Sequence, residues 1–263
     1  MTTLSPLPAR PLFEGVSRPK GPPPAWSGLP DKVTVEFKSP KPQPFRLDPA
    51  TTALVIVDMQ NAFVHSHEFP FTGRSSRGNP MSSDNMARLS SALAGNVKFL
   101  ERARKAGIPI IYIQSVRNAD NLEVTRFSRN PYLIDGTPEV EIVPELKPLP
   151  GEPVVKKLGH DPWARTNLEA VLEERGIVPE NWTVIVTGVS AATCQEVCTI
   201  GFSNRHYMTL IPLDCTAGPS VESEARAFGG HTTTAYNHNV AFTMGDLITF
   251  EAGAPAAERQ LVF

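Results

Sequence analysis

From residue 51 onward, short unbroken apolar runs alternate with stretches of helical spacing, and that alternation restricts the chain to few architectures. Ala53-Leu54-Val55-Ile56-Val57-Asp58 reads as a strand buried on both faces, because it has no polar residue on alternate positions. Residues 89–106 carry helical spacing and stop at Gly107, and Ile108-Pro109-Ile110-Ile111-Tyr112-Ile113 is the next strand. A long polar stretch without regular pattern leads to a short strand at 153–157, a helix from Asn167 to Arg175 and a stop at Gly176. Strand 183–187, a helix containing Cys194, strand 208–214, a helical region at about 220–236 and a last strand at 240–242 complete the series. Strands separated by helices need crossover connections. The spacing therefore predicts an α/β fold: a single doubly wound, mostly parallel sheet with helices on both faces.

Residues 1–50 differ. They hold Pro22-Pro23-Pro24 and Pro40, Pro42 and Pro44, and only Val33-Thr34-Val35-Glu36-Phe37 reads as a strand. The division expected is an extended Pro-rich N-terminal arm at 1–50 and one α/β domain at 51–263. The arm is either mobile or wrapped over the body or a neighbouring subunit, with Phe13, Trp26 and Phe45 as possible anchors. The 263 residues carry a formal net charge of −2, which leaves no basic field for nucleic acid or acidic lipid. No apolar run approaches the ~20 residues of a membrane helix, and three cysteines without framework spacing suit a reducing cytoplasm. A small molecule is the expected partner.

Cys194 follows Thr183-Val184-Ile185-Val186-Thr187-Gly188-Val189 after a short turn and opens a helix. A thiol there meets the positive end of the helix dipole, which favours thiolate. In open α/β sheets chemistry gathers beyond the carboxyl ends of the strands, where Asp58 and Lys157 also fall. Lys157 would favour the thiolate and the charged form of Asp58, and Asp58 could take the thiol proton and return it to a leaving nitrogen. Singly, each has a plainer explanation: a capping Asp, a solvated Lys, a packed Cys. Together on one sheet edge they form a coherent set.

Four segments in order resemble the isochorismatase-like cysteine hydrolases, which include nicotinamidases and N-carbamoylsarcosine, ureidoacrylate and biuret amidohydrolases. They are the opening strand with Asp58-Met59-Gln60-Asn61, and Val154-Val155-Lys156-Lys157 with Trp163 six residues on, a spacing that selects Lys157 over Lys156. The others are Gly188-Val189 with Cys194 six residues past the glycine, and Leu213-Asp214-Cys215-Thr216-Ala217. The resemblance spans roughly residues 50–250. It implies Asp58 as general base and acid, Lys157 as electrostatic partner and Cys194 as nucleophile. It also implies a cis Val189–Ser190 peptide, with the N–H groups of Ser190 and Cys194 as oxyanion hole. The expected activity is cleavage of a C–N bond in a small amide, carbamoyl or ureido compound through a thioester, with water as second substrate. No cofactor is implied, and the resemblance together with the arm points to a homodimer or homotetramer.

Where the resemblance usually shows a small-residue step before the aromatic, this chain has Asp161-Pro162-Trp163. Trp163 either lines the substrate pocket or packs under the arm. Gln195 faces substrate or solvent, Phe63 is pocket wall or core, and Arg117 binds a substrate carboxylate or makes an ordinary surface ion pair. His65 and His67, flanking Ser66 near Glu68, could ligate a metal, although alternate loop histidines are more often unliganded, and no metal is expected. Cys198, one turn after Cys194, and Cys215 read as packed thiols, and His231 and His238 as solvent or subunit contacts. Two other readings compete: a vinyl-ether hydrolase of the isochorismatase type, which does not use the cysteine, and a non-catalytic binding protein of the same fold. A complete Asp58, Lys157 and Cys194 set counts against both.

Overall fold

The computed structural model describes residues 40–65, 83–118, 133–233 and 239–261. The expected strand at 33–37, Phe13, Trp26, His67, Glu68 and His238 lie outside the described residues. The elements run β1 (Phe45–Leu47), β2 (Thr52–Val57), α1 (Asn61–Val64), α2 (Ser83–Ala106), β3 (Ile110–Ser115) and β4 (Val154–Lys157). They continue with α3 (Leu168–Glu174), β5 (Thr183–Val189), α4 (Cys194–Asn204), β6 (Met208–Pro212), β7 (Thr216–Ala217), α5 (Val221–Thr233), β8 (Val240–Thr243) and β9 (Ile248–Phe250).

The main sheet has the order β4-β3-β2-β5-β6-β8, every pair parallel, with β7 joining the end of β5. This is the doubly wound sheet the alternation predicts. The chain first builds outward from β2 through β3 to β4, then restarts at β5 and builds the other way. The reversal lies between β2 and β5, and their carboxyl ends flank the crevice that such a switch leaves open.

Alternation along the central strands sorts the core into two layers. Leu54 and Ile56 of β2 and Ile185 of β5 join Leu89, Phe99, Leu100 and Ala103 of α2. Ala53, Val55 and Val57 with Val184 and Val186 join Leu168 and Leu172 of α3 and Cys198 and Phe202 of α4. Each fully buried Val, Leu, Ile or Phe among them contributes about 1.5–3 kcal/mol. Ile211 and Phe242 carry Ala227 and Phe228 of α5.

A second, two-stranded sheet was not visible in the sequence. Phe45–Leu47 pairs in parallel with Ile248–Phe250, burying Phe45 and Leu47 against the α2 layer. These residues fall within the stretch read as an arm, and Phe45 is anchored there.

Gly188 sits where the side of β5 that faces β2 leaves no room for a side chain. Its φ is +98, and an added Cβ would fall 2.0 Å from the Val57 carbonyl oxygen, in a register that sets Val57 opposite Gly188. Gly176, after α3, also has positive φ (+65) but open space around it. Gly176→Ala is therefore expected to cost about 1–2 kcal/mol of backbone strain alone. Gly188→Ala should cost more, adding about 1–3 kcal/mol of overpacking. Urea unfolding of the two variants side by side checks the difference; equal losses would contradict it.

Candidate active site

Asp58 is the first residue past β2, and it leaves the strand with φ +50, in the left-handed region that Asp tolerates better than most residues. Strict alternation would send its side chain away from Val57, toward the α2 layer. The break in the strand instead brings its carboxylate to the residues of the opposite layer. Ser115 and Lys157 are register partners at the ends of β3 and β4. In β4 the exposed Lys156 reaches out to Asp135 at 2.8 Å, while Lys157 turns inward with its side chain 0% exposed.

Lys157 Nζ donates to Asp58 Oδ2 at 2.9 Å, to the Gly159 carbonyl at 3.1 Å and to Cys194 Sγ at 3.2 Å, and also to Ser115 Oγ. Ser115 Oγ in turn donates to Asp58 Oδ2 at 2.9 Å. Asp58 Oδ1 is buried with no hydrogen-bond partner among the described residues. The three residues that the sequence placed separately at strand ends thus meet in one buried cluster, and Ser115 joins them.

Cys194 is the first residue of α4 and 8% exposed. The turn that delivers it contains a cis Val189–Ser190 peptide. Ala191 N–H donates to the Ala217 carbonyl at 2.9 Å, while Thr193 and Gln195 N–H donate to the Ser190 carbonyl at 3.0 and 3.2 Å. Among the described residues, none of these bonds uses the N–H of Ser190 or of Cys194.

The electrostatics depart from the expected thiolate. Burial pushes the Cys194 thiol up to about 12, and the charge of Asp58 and its hydrogen bond push the same way. Lys157 opposes this but is outweighed. Cys194 lies in the first turn of α4, where the helix terminus favours thiolate, but burial together with the Asp58 charge outweighs that, so the resting sulfur keeps its proton. Burial would by itself strip Lys157, but the charge of Asp58 and its hydrogen bonds hold its pKa above the ordinary lysine value. The site thus presents a protonated thiol, a fixed ammonium and a carboxylate with one oxygen open. Such a set can pass a proton from sulfur to oxygen as the sulfur attacks.

The other candidates are more dispersed. Trp163 lies along the flank of α4, its ring 4.8 Å from Phe202 in edge contact, and its indole fills the space that a Cβ on Gly201 would need. The Arg205 guanidinium stacks on it at 3.9 Å. This places it two helical turns beyond Cys194. Gln195 is buried and donates to Thr199 Oγ1 at 3.2 Å. Phe63 is half-buried between the α2 layer and a small cluster of Ala62, Val116, Leu133 and Val140. The Arg117 backbone bridges to the segment around Ile134, through Leu133 and Asp135. Both Cys198 and Cys215 are fully buried. His65 Nε2 lies 3.2 Å from Glu145, and no group of three metal-ligating side chains occurs among the described residues. No described helix is long and apolar enough to cross a membrane.

Two neighbours of the cluster escaped the sequence reading. Ser115 was concealed because a serine at a strand end resembles any solvated one; only the β3–β4 register sets it beside Lys157. His160, three residues after Lys157, brings Nδ1 to 3.2 Å from Cys194 Sγ. Its position on the lysine loop was the available signal.

The family model described as Isochorismatase domain matches residues 52–237. The chain is similar to the ureidoacrylate amidohydrolase RutB of Pseudomonas savastanoi pv. phaseolicola, 26% identical over 225 residues, covering 78% of this chain and 86% of that protein. RutB of Caulobacter vibrioides is 28% identical over 215 residues, covering 73% and 89%. Among solved structures, N-carbamoylsarcosine amidase from Thermoplasma acidophilum superposes with a TM-score of 0.57 at 23% identity, over 74% of this chain and 97% of that one. A cysteine hydrolase from Pseudomonas syringae pv. phaseolicola 1448A gives 0.58 at 22% identity, over 78% and 94%. These two structures share the fold.

Because the charge of Asp58 holds the proton on sulfur, Asp58→Asn is expected to lower the Cys194 thiol pKa from about 12. Thiolate absorbance against pH reads this directly: Cys194 should ionise at lower pH in the variant than in the wild type. An unchanged or higher midpoint would contradict the assigned balance of charges.

Proposed function

The chain belongs to the isochorismatase family, and on that premise we propose that it is a cysteine amidohydrolase acting on a small ureido or carbamoyl compound. The observation that carries the reading is Cys194 Sγ 3.2 Å from Lys157 Nζ, which is itself 2.9 Å from Asp58 Oδ2, all at the switch point of the sheet. The substrate class is supported by the curated relatives, which are named ureidoacrylate amidohydrolases.

Asp58 accepts the thiol proton on its open oxygen as Cys194 sulfur bonds the substrate carbonyl carbon. The carbonyl π pair moves to oxygen, where the N–H groups of Ser190 and Cys194 receive it; one such donor is typically worth about 3 kcal/mol. Lys157 stays an ammonium throughout and compensates the charge passing between sulfur and carboxylate. Collapse breaks the C–N bond, and Asp58 returns the proton to the leaving nitrogen. Water, losing a proton to Asp58, then adds to the thioester, and C–S cleavage regenerates the thiol. Ser115 holds the Asp58 carboxylate in place. Arg117, two residues beyond it, suits a substrate carboxylate.

Ammonia release from a panel of ureido acids, carbamoyl compounds and primary amides tests the reading, with Cys194→Ala run beside the wild type. The wild type should release ammonia from at least one ureido or carbamoyl compound, and the variant should lose about 10³-fold or more while melting at the same temperature. Undiminished release by the variant would overturn the assignment.

A further inference from the structure

The Asp58–Lys157 pair is sealed from solvent, each residue 1% exposed, so protons enter and leave the site through something else. The Lys157 ammonium has three protons and four acceptors around it, and in that state it has no lone pair to offer. His160 is different in both respects. Its ring belongs to an exposed residue, and its Nδ1 stands 3.2 Å from the sulfur, the same distance as Lys157 Nζ.

We propose that His160 is a second general base for Cys194, working from the solvent side of the sulfur while Asp58 works from the buried side. The proposal rests on the cysteine-nucleophile reading above and deepens it. On this route, which replaces the transfer through Asp58 in a given turnover, the ring proton sits on Nε2 and Nδ1 accepts the thiol proton as the freed sulfur pair forms the C–S bond and the carbonyl π pair moves to oxygen. The imidazolium returns that proton to the leaving nitrogen when the C–N bond breaks. In the second half, water gives a proton to Nδ1 while its oxygen bonds the thioester carbon. The departing sulfur then recovers that proton. The sulfur thus acquires an acceptor in direct exchange with solvent.

Other ionisable groups face this pair. Asp58 and Lys157 approach from β2 and β4, and Cys198 lies one turn along α4. Asp161 is next to His160, with Oδ1 accepting from Trp163 N–H at 2.9 Å. Glu196, on α4, is held by Arg226 of α5 at 2.8 Å. Of these side chains His160 alone is an imidazole, the group whose ordinary charge change lies between about pH 5 and 8, so a proton acceptor at that position has a distinct pH signature.

The test is the rate of Cys194 alkylation by iodoacetamide, followed by intact and peptide mass from pH 5 to 9, which needs no substrate. In the wild type the rate should climb through the imidazole range. In His160→Gln that climb should vanish and the rate near neutral pH should fall about tenfold. Asp161→Asn should keep the wild-type profile. Superimposed profiles for wild type and His160→Gln, or a climb that follows Asp161, would overturn the proposal. The two ideas fail separately. A wild type that hydrolyses no member of the amide panel but retains the His160-dependent climb loses the substrate reading alone. Hydrolysis with an unaltered climb in His160→Gln loses this inference alone.

Discussion

A lysine ammonium with no exposure to water is the constraint around which the site is arranged. Removing such a charge from water costs several kcal/mol unless every proton finds an acceptor and an opposite charge stands near. Lys157 meets that demand with a carboxylate, a hydroxyl, a backbone carbonyl and a sulfur. Each of those partners is thereby fixed in orientation. The geometry of the cluster is thus a by-product of solvating one cation, and burial, aided by the same Asp58 charge that keeps Lys157 an ammonium, keeps Cys194 protonated.

The fold supplies the acceptors by a general property of doubly wound sheets. Three parallel neighbours, β2, β3 and β4, end at nearly the same level, so Asp58, Ser115 and Lys157 arrive side by side from distant points in the chain. The fourth member comes from across the reversal, on β5 and α4. Gly188 allows that crossing to be close, because any larger residue would press on the Val57 carbonyl immediately before Asp58. Backbone proximity at one glycine and side-chain proximity at the cluster are the same event seen at two scales.

Most of this was legible without coordinates, and the exceptions have physical reasons. The central strands are long and apolar on both faces, so β2, β3, β5 and β6 declare themselves and their ends nominate Asp58 and Cys194, while the short β4 brings Lys157. Three-residue strands such as Phe45–Leu47 and Ile248–Phe250 hold too little pattern to separate from loop. Ser115 and His160 have ordinary identities and acquire meaning only from register and loop path. The protonation of Cys194 was misread because a helix dipole can be inferred from a string of letters, whereas depth of burial cannot.

The pairing of β1 with β9 has a consequence for synthesis on the ribosome. Phe45 and Leu47 emerge early, yet the strand that covers them is completed only at Phe250. The Gln43 N–H and carbonyl are also satisfied late, by Phe242 and Thr243, and Arg46 by Gln260. At about 5–20 residues per second, some 10–40 s pass with two large apolar side chains lacking their native cover. Until Ile248–Phe250 is made, Phe45 and Leu47 have no native strand beside them, and that late segment is the clasp that closes over them.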